Sequence, residues 1–289
     1  TGYANLSDCV IAPSESVAEV LKRRGVNSRI ESIPTGIDTE LFSIGNGKEF
    51  RKRNDIPSDA TVIGHVGRLA PEKNLEFLSL AVSSFIKNSQ SAHFLVVGDG
   101  PSTPQIKECF KKQNLLDCLH MVGRKSGSDL IDAYHAMDLF AFASKSETQG
   151  MVLAEAMAAG LPVVALDAPG VREIVTPRRN GTLIYYENVG EFSRALFYLL
   201  SQTPQKKHSM FIDAKETSEE FSVHSCASRT LSLYRSLLSN IRKDKGKLDP
   251  WESTMRYLER EWSLITNKTT ALGSAIIDSD LRDNERTDN

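Results

Sequence analysis

The 289-residue chain has no CxxC pair among its four cysteines, Cys9, Cys109, Cys118 and Cys226. Scattered single cysteines argue against a disulfide framework or a thiolate metal cluster, and suit reduced thiols in the cytoplasm. No apolar run approaches the roughly 18 residues that a membrane-spanning helix needs. The first residues, TGYANLSDCV, lack the charged start and long apolar stretch of a signal peptide. The six histidines (65, 93, 120, 135, 208 and 224) show no metal-ligand spacing and are expected in the core or on the surface. No GxSxG elbow, phosphate-binding GxxxxGK[ST] loop or HExxH helix occurs. Charge of either sign is not in excess: 35 basic against 37 acidic residues leave −2. No whole-molecule field therefore steers the chain to nucleic acid, and basic residues do not cluster with aromatics. There is also no initiator methionine, and the opening residues already read like the middle of a fold. The chain is therefore expected to be the C-terminal part of something longer.

What is present is an alternation. Short runs of Val, Ile, Leu and Phe at 10–12, 61–66, 93–97, 120–122, 139–143, 162–166 and 181–184 are separated by turns and helical stretches. Runs without polar alternation suit strands buried on both faces, and such parallel strands need crossover helices. Helices are expected at 14–24, 74–88, 105–113, 128–135 and 151–159. Ser14 can cap the first, and Gly25 and Gly160 stop the first and last. The fold class is α/β, a doubly wound parallel sheet. After about residue 190 the pattern becomes helical, at 189–200, 207–221 and 223–241. A charged break is expected at 243–247, then a helix from Asp249-Pro250 to about 265, and a polar, disordered tail from 278.

Chemistry concentrates at strand ends. SETQGMVLAEAMAAGLPVVA at 146–165 places a turn after one strand and opens a helix. In open parallel sheets that edge binds ligands. Gly150 lets the backbone approach a ligand, and the N–H groups of Met151, Val152 and Leu153 at the helix start suit a phosphate oxygen. Glu147 lies on the turn and Glu155 about one and a half turns inside. An anion at the helix start would sit between them, which fits a diphosphate flanked by hydroxyl-bearing groups. Leu153, Met157 and Gly160 supply the buried stripe. In VIGHVGRLAPEKNLEFL at 62–78, Arg68 and Lys73 stand at another strand's carboxyl end, as two cations that could face one helix start and neutralise a diphosphate. In FLVVGDGP at 94–101, Gly98 opens a tight turn that could line a nucleotide pocket. Pro101 follows at once without a third glycine in register, which speaks against a nicotinamide-dependent oxidoreductase. In MVGRKSGSDL at 121–130, Gly123 and Arg124 could flank a base, or Arg124 could be an ordinary surface charge.

Together VIAPSESVAEVLKRRGV, IPTGID, GRLAPEKN, VVGDGP, MVGR and SETQGMVLAEAMAAGLPVVA resemble the family-4 retaining glycosyltransferases of the GT-B fold, over about residues 7–240. The resemblance implies that Arg68 and Lys73 bind the donor diphosphate and Glu155 the ribose hydroxyls. Glu147 would contact the transferred sugar near the reacting carbon, and main-chain groups from 150 to 153 would meet sugar and phosphate. It implies hexose transfer from a UDP- or GDP-sugar to an acceptor hydroxyl with retention, with no metal and no cofactor beyond the donor. The leaving phosphate itself would take the acceptor's proton. Residues 1–42 are then expected to be a remnant of the N-terminal acceptor domain with a linker, and 43–222 the nucleotide-sugar-binding domain. Residues 223–245 would be a helix crossing back to the missing domain, and 246–289 a helical extension and tail. The expected partners are the donor, an acceptor glycan, lipid or small molecule, and the missing acceptor domain. A non-catalytic module that donates this half-site to another chain is the alternative. SETQG also looks like glycolipid enzymes, so attachment at a membrane surface stays open beside a cytoplasmic location.

Overall fold

The computed structural model describes residues 2–89 and 91–245, with side chains described to residue 239. The expected helix near 250–265 and the tail from 278 lie outside the described residues. The chain forms two compact units. The smaller holds a two-stranded parallel sheet, β1 (Val10–Ala12) on β2 (Ile30–Ser32). Between these strands in sequence runs helix α1 (Glu15–Arg23), closed by Gly25 in the left-handed region.

The larger unit covers 13–17 and 33–228. It takes in residues 33–42 and contains two short helices. These are α2 (Thr39–Phe42) and α3 (Gly47–Arg53), capped by Asp38 and Asn46, whose side chains accept from Leu41 N and Glu49 N. Ile37 and Phe50 are buried there.

The six-stranded sheet contains β3 (Thr61–Val66), β4 (Ala92–Val97), β5 (Leu119–Met121), β6 (Leu139–Phe142), β7 (Val163–Leu166) and β8 (Gly181–Ile184). Every pairing is parallel and the order is β5-β4-β3-β6-β7-β8. The chain winds outward from β3 in one direction, then returns to β6 and winds outward in the other. The order therefore reverses between β3 and β6, which opens a crevice beyond their carboxyl ends.

Helices α4 (Leu75–Lys87), α5 (Thr103–Lys112) and α8 (Val189–Leu200) cover one face, around Ile63, Phe94, Phe110 and Phe192. The other face carries α3, α6 (Ser128–His135) and α7 (Met151–Ala158), with α9 (Pro204–Glu220) packed on α7. Phe140, Phe142, Tyr134, Leu153 and Met157 pack together there. Burying each such side chain contributes roughly 1.5–3 kcal/mol, so both apolar sides of each central strand are needed. Helix α7 is buried more widely than the expected stripe, since Ala154, Ala156 and Ala158 are also enclosed. Helix α10 (Val223–Lys245) runs through the first part of the expected charged break, because Lys and Asp at 243–245 do not interrupt helical geometry. Among the described residues no helix is long and apolar enough to cross a membrane.

Candidate functional site

Four loops at the carboxyl edge line the crevice between β3 and β6. Backbone hydrogen bonds fix the first three to one another. Gly67 N donates to Val97 O at 3.0 Å, Leu69 N to Asp99 O at 2.9 Å, and Gly98 N to Gly123 O at 2.9 Å. Gly98 is required by contact: a Cβ there would lie 1.9 Å from Gly67 O, and its φ is +146°. The loop after β3 turns through a short 3₁₀ segment, Pro71–Lys73. That segment is tied to the loop after β6, with Lys145 N and Ser144 Oγ each 3.2 Å from Glu72 O.

This tie brings the side chains of Lys73 and Glu147 into direct ion-pair contact across the crevice. Both are mostly enclosed, with side chains 17% and 13% exposed, so the pair is shielded from solvent. Lys73 Nζ also lies 5.9 Å from the centre of the Phe142 ring, a cation–π distance. Gly150, at φ +66°, turns the chain from Glu147 into α7 in a conformation that side chains disfavour.

The helix mouth differs from expectation in one amide. Leu153 N is taken by Gly150 O at 2.8 Å, an early-turn bond within the helix. Among the described residues Met151 and Val152 have no backbone acceptor for their N–H groups, so these two carry the partial positive charge of the helix start.

Arg68 is engaged on its own loop. The Arg68 side chain is 72% exposed and pairs with Glu72 on its own loop, because the turn at Pro71 brings residue 72 back beneath it. Arg124 is exposed beside Gly123.

Glu155 lies deeper. Its Oε2 accepts from the Tyr134 hydroxyl at 2.7 Å. Burial pushes the Glu155 carboxyl above its ordinary value, and the hydrogen bond from Tyr134 pulls it partly back. Tyr134 is fully buried, and burial drives its hydroxyl well above the usual phenol range, with the Glu155 charge adding to this.

Five residues not singled out in the sequence belong to the site or its floor. Tyr134 and Phe142 look like core residues in the sequence. Gln149 anchors the loop after β6 by donating to Pro13 O at 3.1 Å. Asn74 adopts the left-handed region at φ 53° between the 3₁₀ segment and α4, with a buried Nδ2 that no described group accepts. Beneath the site His65 is wholly buried on β3, with Nδ1 3.2 Å from Ala141 O. Burial holds it neutral, with a pKa lowered to about 4, and among the described residues Nε2 has no partner. The signal for Asn74 and Gln149 was their position in loops at strand ends; His65 offered none.

A doubly wound parallel sheet with a cation, two acidic side chains and a helix mouth at its switch point defines a Rossmann-like ligand-binding domain. The chain belongs to the glycosyl transferases group 1 family, whose profile matches residues 46–217, while that of glycosyltransferase family 4 matches residues 2–41. It is 34% identical over 192 residues to a GDP-mannose-dependent alpha-mannosyltransferase of Mycobacterium tuberculosis, covering 66% of this chain and 47% of that protein. It is 29% identical over 256 residues to the alpha-monoglucosyldiacylglycerol synthase of Streptococcus pneumoniae, covering 86% and 57%. Among solved structures it is similar to sucrose-phosphate synthase from Thermosynechococcus elongatus, with TM-score 0.69 and 26% identity over 81% of this chain and 59% of that one. The chain thus spans about half the length of the curated relatives it matches.

Proposed function

We propose that this chain is the donor-binding half of a glycosyltransferase that moves a hexose from a UDP- or GDP-sugar to an acceptor hydroxyl with retention. The observation that carries this reading is the Lys73–Glu147 pair, set across the switch point at the mouth of α7. A diphosphate there meets the ammonium of Lys73 and the amides of Met151 and Val152. Arg68, exposed on the rim beside Glu72, swings in as a second cation. Glu147 accepts from hydroxyls of the transferred sugar, Glu155 from those of the ribose, and the turns at Gly98 and Gly123–Arg124 flank the base. The bond from the anomeric carbon to the phosphate oxygen breaks while the acceptor oxygen bonds the same face, and the acceptor's proton passes to the departing phosphate. Lys73 and the helix dipole stabilise the charge that builds there, so the protein contributes by placement and electrostatics and needs no metal. Membership of a glycosyltransferase family supports the reaction class, and the GDP-mannose-dependent relative supports a nucleotide-sugar donor.

Isothermal titration of the 289-residue chain with UDP and GDP tests the reading. Binding of one, in preference to AMP or NAD, is expected; absence of binding to either rejects it. The second reading is a module that binds donor but turns it over only with a partner chain. Its support is that the chain spans about half of its relatives' length. Nucleotide binding without sugar transfer until an acceptor-domain chain is added favours it.

A further inference from the structure

Tyr134 sits in the last turn of α6, away from any loop that meets ligand, yet its hydroxyl reaches the first turns of α7. It donates to Glu155 Oε2 at 2.7 Å and lies 3.4 Å from Val152 O. The ring cannot swing. Phe42 meets it edge-on at 5.7 Å and Phe140 at 5.9 Å, and the residue is wholly enclosed. The hydroxyl therefore has a fixed position and, among the described residues, two oxygens within reach. One is a main-chain carbonyl in a helix; the other is the carboxylate. Among the described residues no other side chain bonds the Glu155 carboxylate. Oε2 is thereby committed and Oε1 is left to accept from a ligand. A carboxylate held at one oxygen by a fixed donor presents the other at one angle, which loss of the donor would release.

We infer that Tyr134 is a positioning residue: it orients the Glu155 carboxylate and through it sets the preference of the site for a ribose-bearing diphosphate over one lacking ribose hydroxyls. This rests on the proposed assignment of Glu155 to the ribose. A tyrosine serving only to fill the core would need its ring and not its hydroxyl.

The test uses the 289-residue chain, its Tyr134→Phe variant, UDP and GDP, and their 2′,3′-dideoxy counterparts. Wild type is expected to bind the ribo form of its nucleotide at least roughly tenfold more tightly than the dideoxy form, the scale of one hydrogen bond to a charged group. Tyr134→Phe should reduce that ratio several-fold by weakening the ribo form alone. A folded Tyr134→Phe with the ratio unchanged, or with both forms weakened equally, overturns the positioning role and leaves the ribose assignment standing. Wild type binding both forms equally removes the ribose assignment, and the inference with it. A ligand-free readout is the ¹³C titration of the Glu155 carboxyl. It should move up in Tyr134→Phe and down when a fluorinated, more acidic tyrosine replaces Tyr134 site-specifically. The fluorinated side chain keeps ring and hydroxyl, so no movement there overturns the inference even if the phenylalanine variant does not fold.

Discussion

His65 links the floor of the site to the stability of the sheet, and its protonation has a calculable cost. In the folded chain the imidazole is wholly buried, its Nδ1 faces Ala141 O, and Lys73 adds an unfavourable charge to any protonated form. Its folded pKa is about 4, against an ordinary value of 6.5. The folded value lies below the unfolded one, so the unfolded chain binds more protons in between. The contribution is fully present above about 6.5 and is lost as pH falls toward about 4. The gap of about 2.5 pH units, at about 1.4 kcal/mol each, gives about 3 kcal/mol. The perturbation is His65→Leu, and the assay is urea denaturation at closely spaced pH values from 7.5 down to 4.5. Wild type should lose stability more steeply than the variant, by a difference in slope approaching about 1.4 kcal/mol per pH unit near pH 5. The absolute stability of the variant at neutral pH does not enter. Parallel curves, or an NMR titration of the folded His65 ring near 6.5, would show that burial does not hold the imidazole neutral.

Three further outcomes follow from the geometry. Lys73→Ala should weaken nucleoside diphosphate binding roughly 10- to 150-fold, the equivalent of about 1.5–3 kcal/mol for a lost contact to a charged group, as read by calorimetry. Gly98→Ala places a Cβ 1.9 Å from Gly67 O, so it should separate the loops after β3 and β4, cost about 1–3 kcal/mol in denaturant and reduce binding. Glu173 accepts from Glu15 N at 2.8 Å, Ser16 N at 2.9 Å and Ser16 Oγ at 2.5 Å, capping the start of α1. Burial alone would raise its pKa, but these bonds hold it lower, so Glu173→Gln should cost about 1 kcal/mol at neutral pH and less as pH falls below about 4.5, in denaturant titrations across that range.

The sheet was readable because its central strands are buried on both faces. Val62, Ile63, Leu139 and Phe140 form continuous apolar runs that a half-exposed strand would interrupt. Helices α2 and α3 were not readable, because TELF and GKEFRKR are too short to show a period and their capping residues, Asp38 and Asn46, look like linker. The site's residue types were readable where chemistry restricts them: acids beside a helix start, cations at a strand end. Their pairing was not. Lys73 and Glu147 meet because β6 lies beside β3, a fact of strand order, while Arg68 is drawn aside by Glu72 four positions away on the same turn. Tyr134 gave no signal because an apolar ring in the core and a hydroxyl aimed at a buried acid read identically in sequence.

On the proposed reading a diphosphate sits between Lys73 and the mouth of α7. Amide and lysine NMR shifts during titration of the labelled chain with UDP and GDP test it most directly. The largest changes are expected at Gly150, Met151, Val152 and the Lys73 ammonium, saturating together. Changes confined to the opposite, amino edge of the sheet, around Arg51 and Lys207, with those four signals unmoved at saturation, would contradict it.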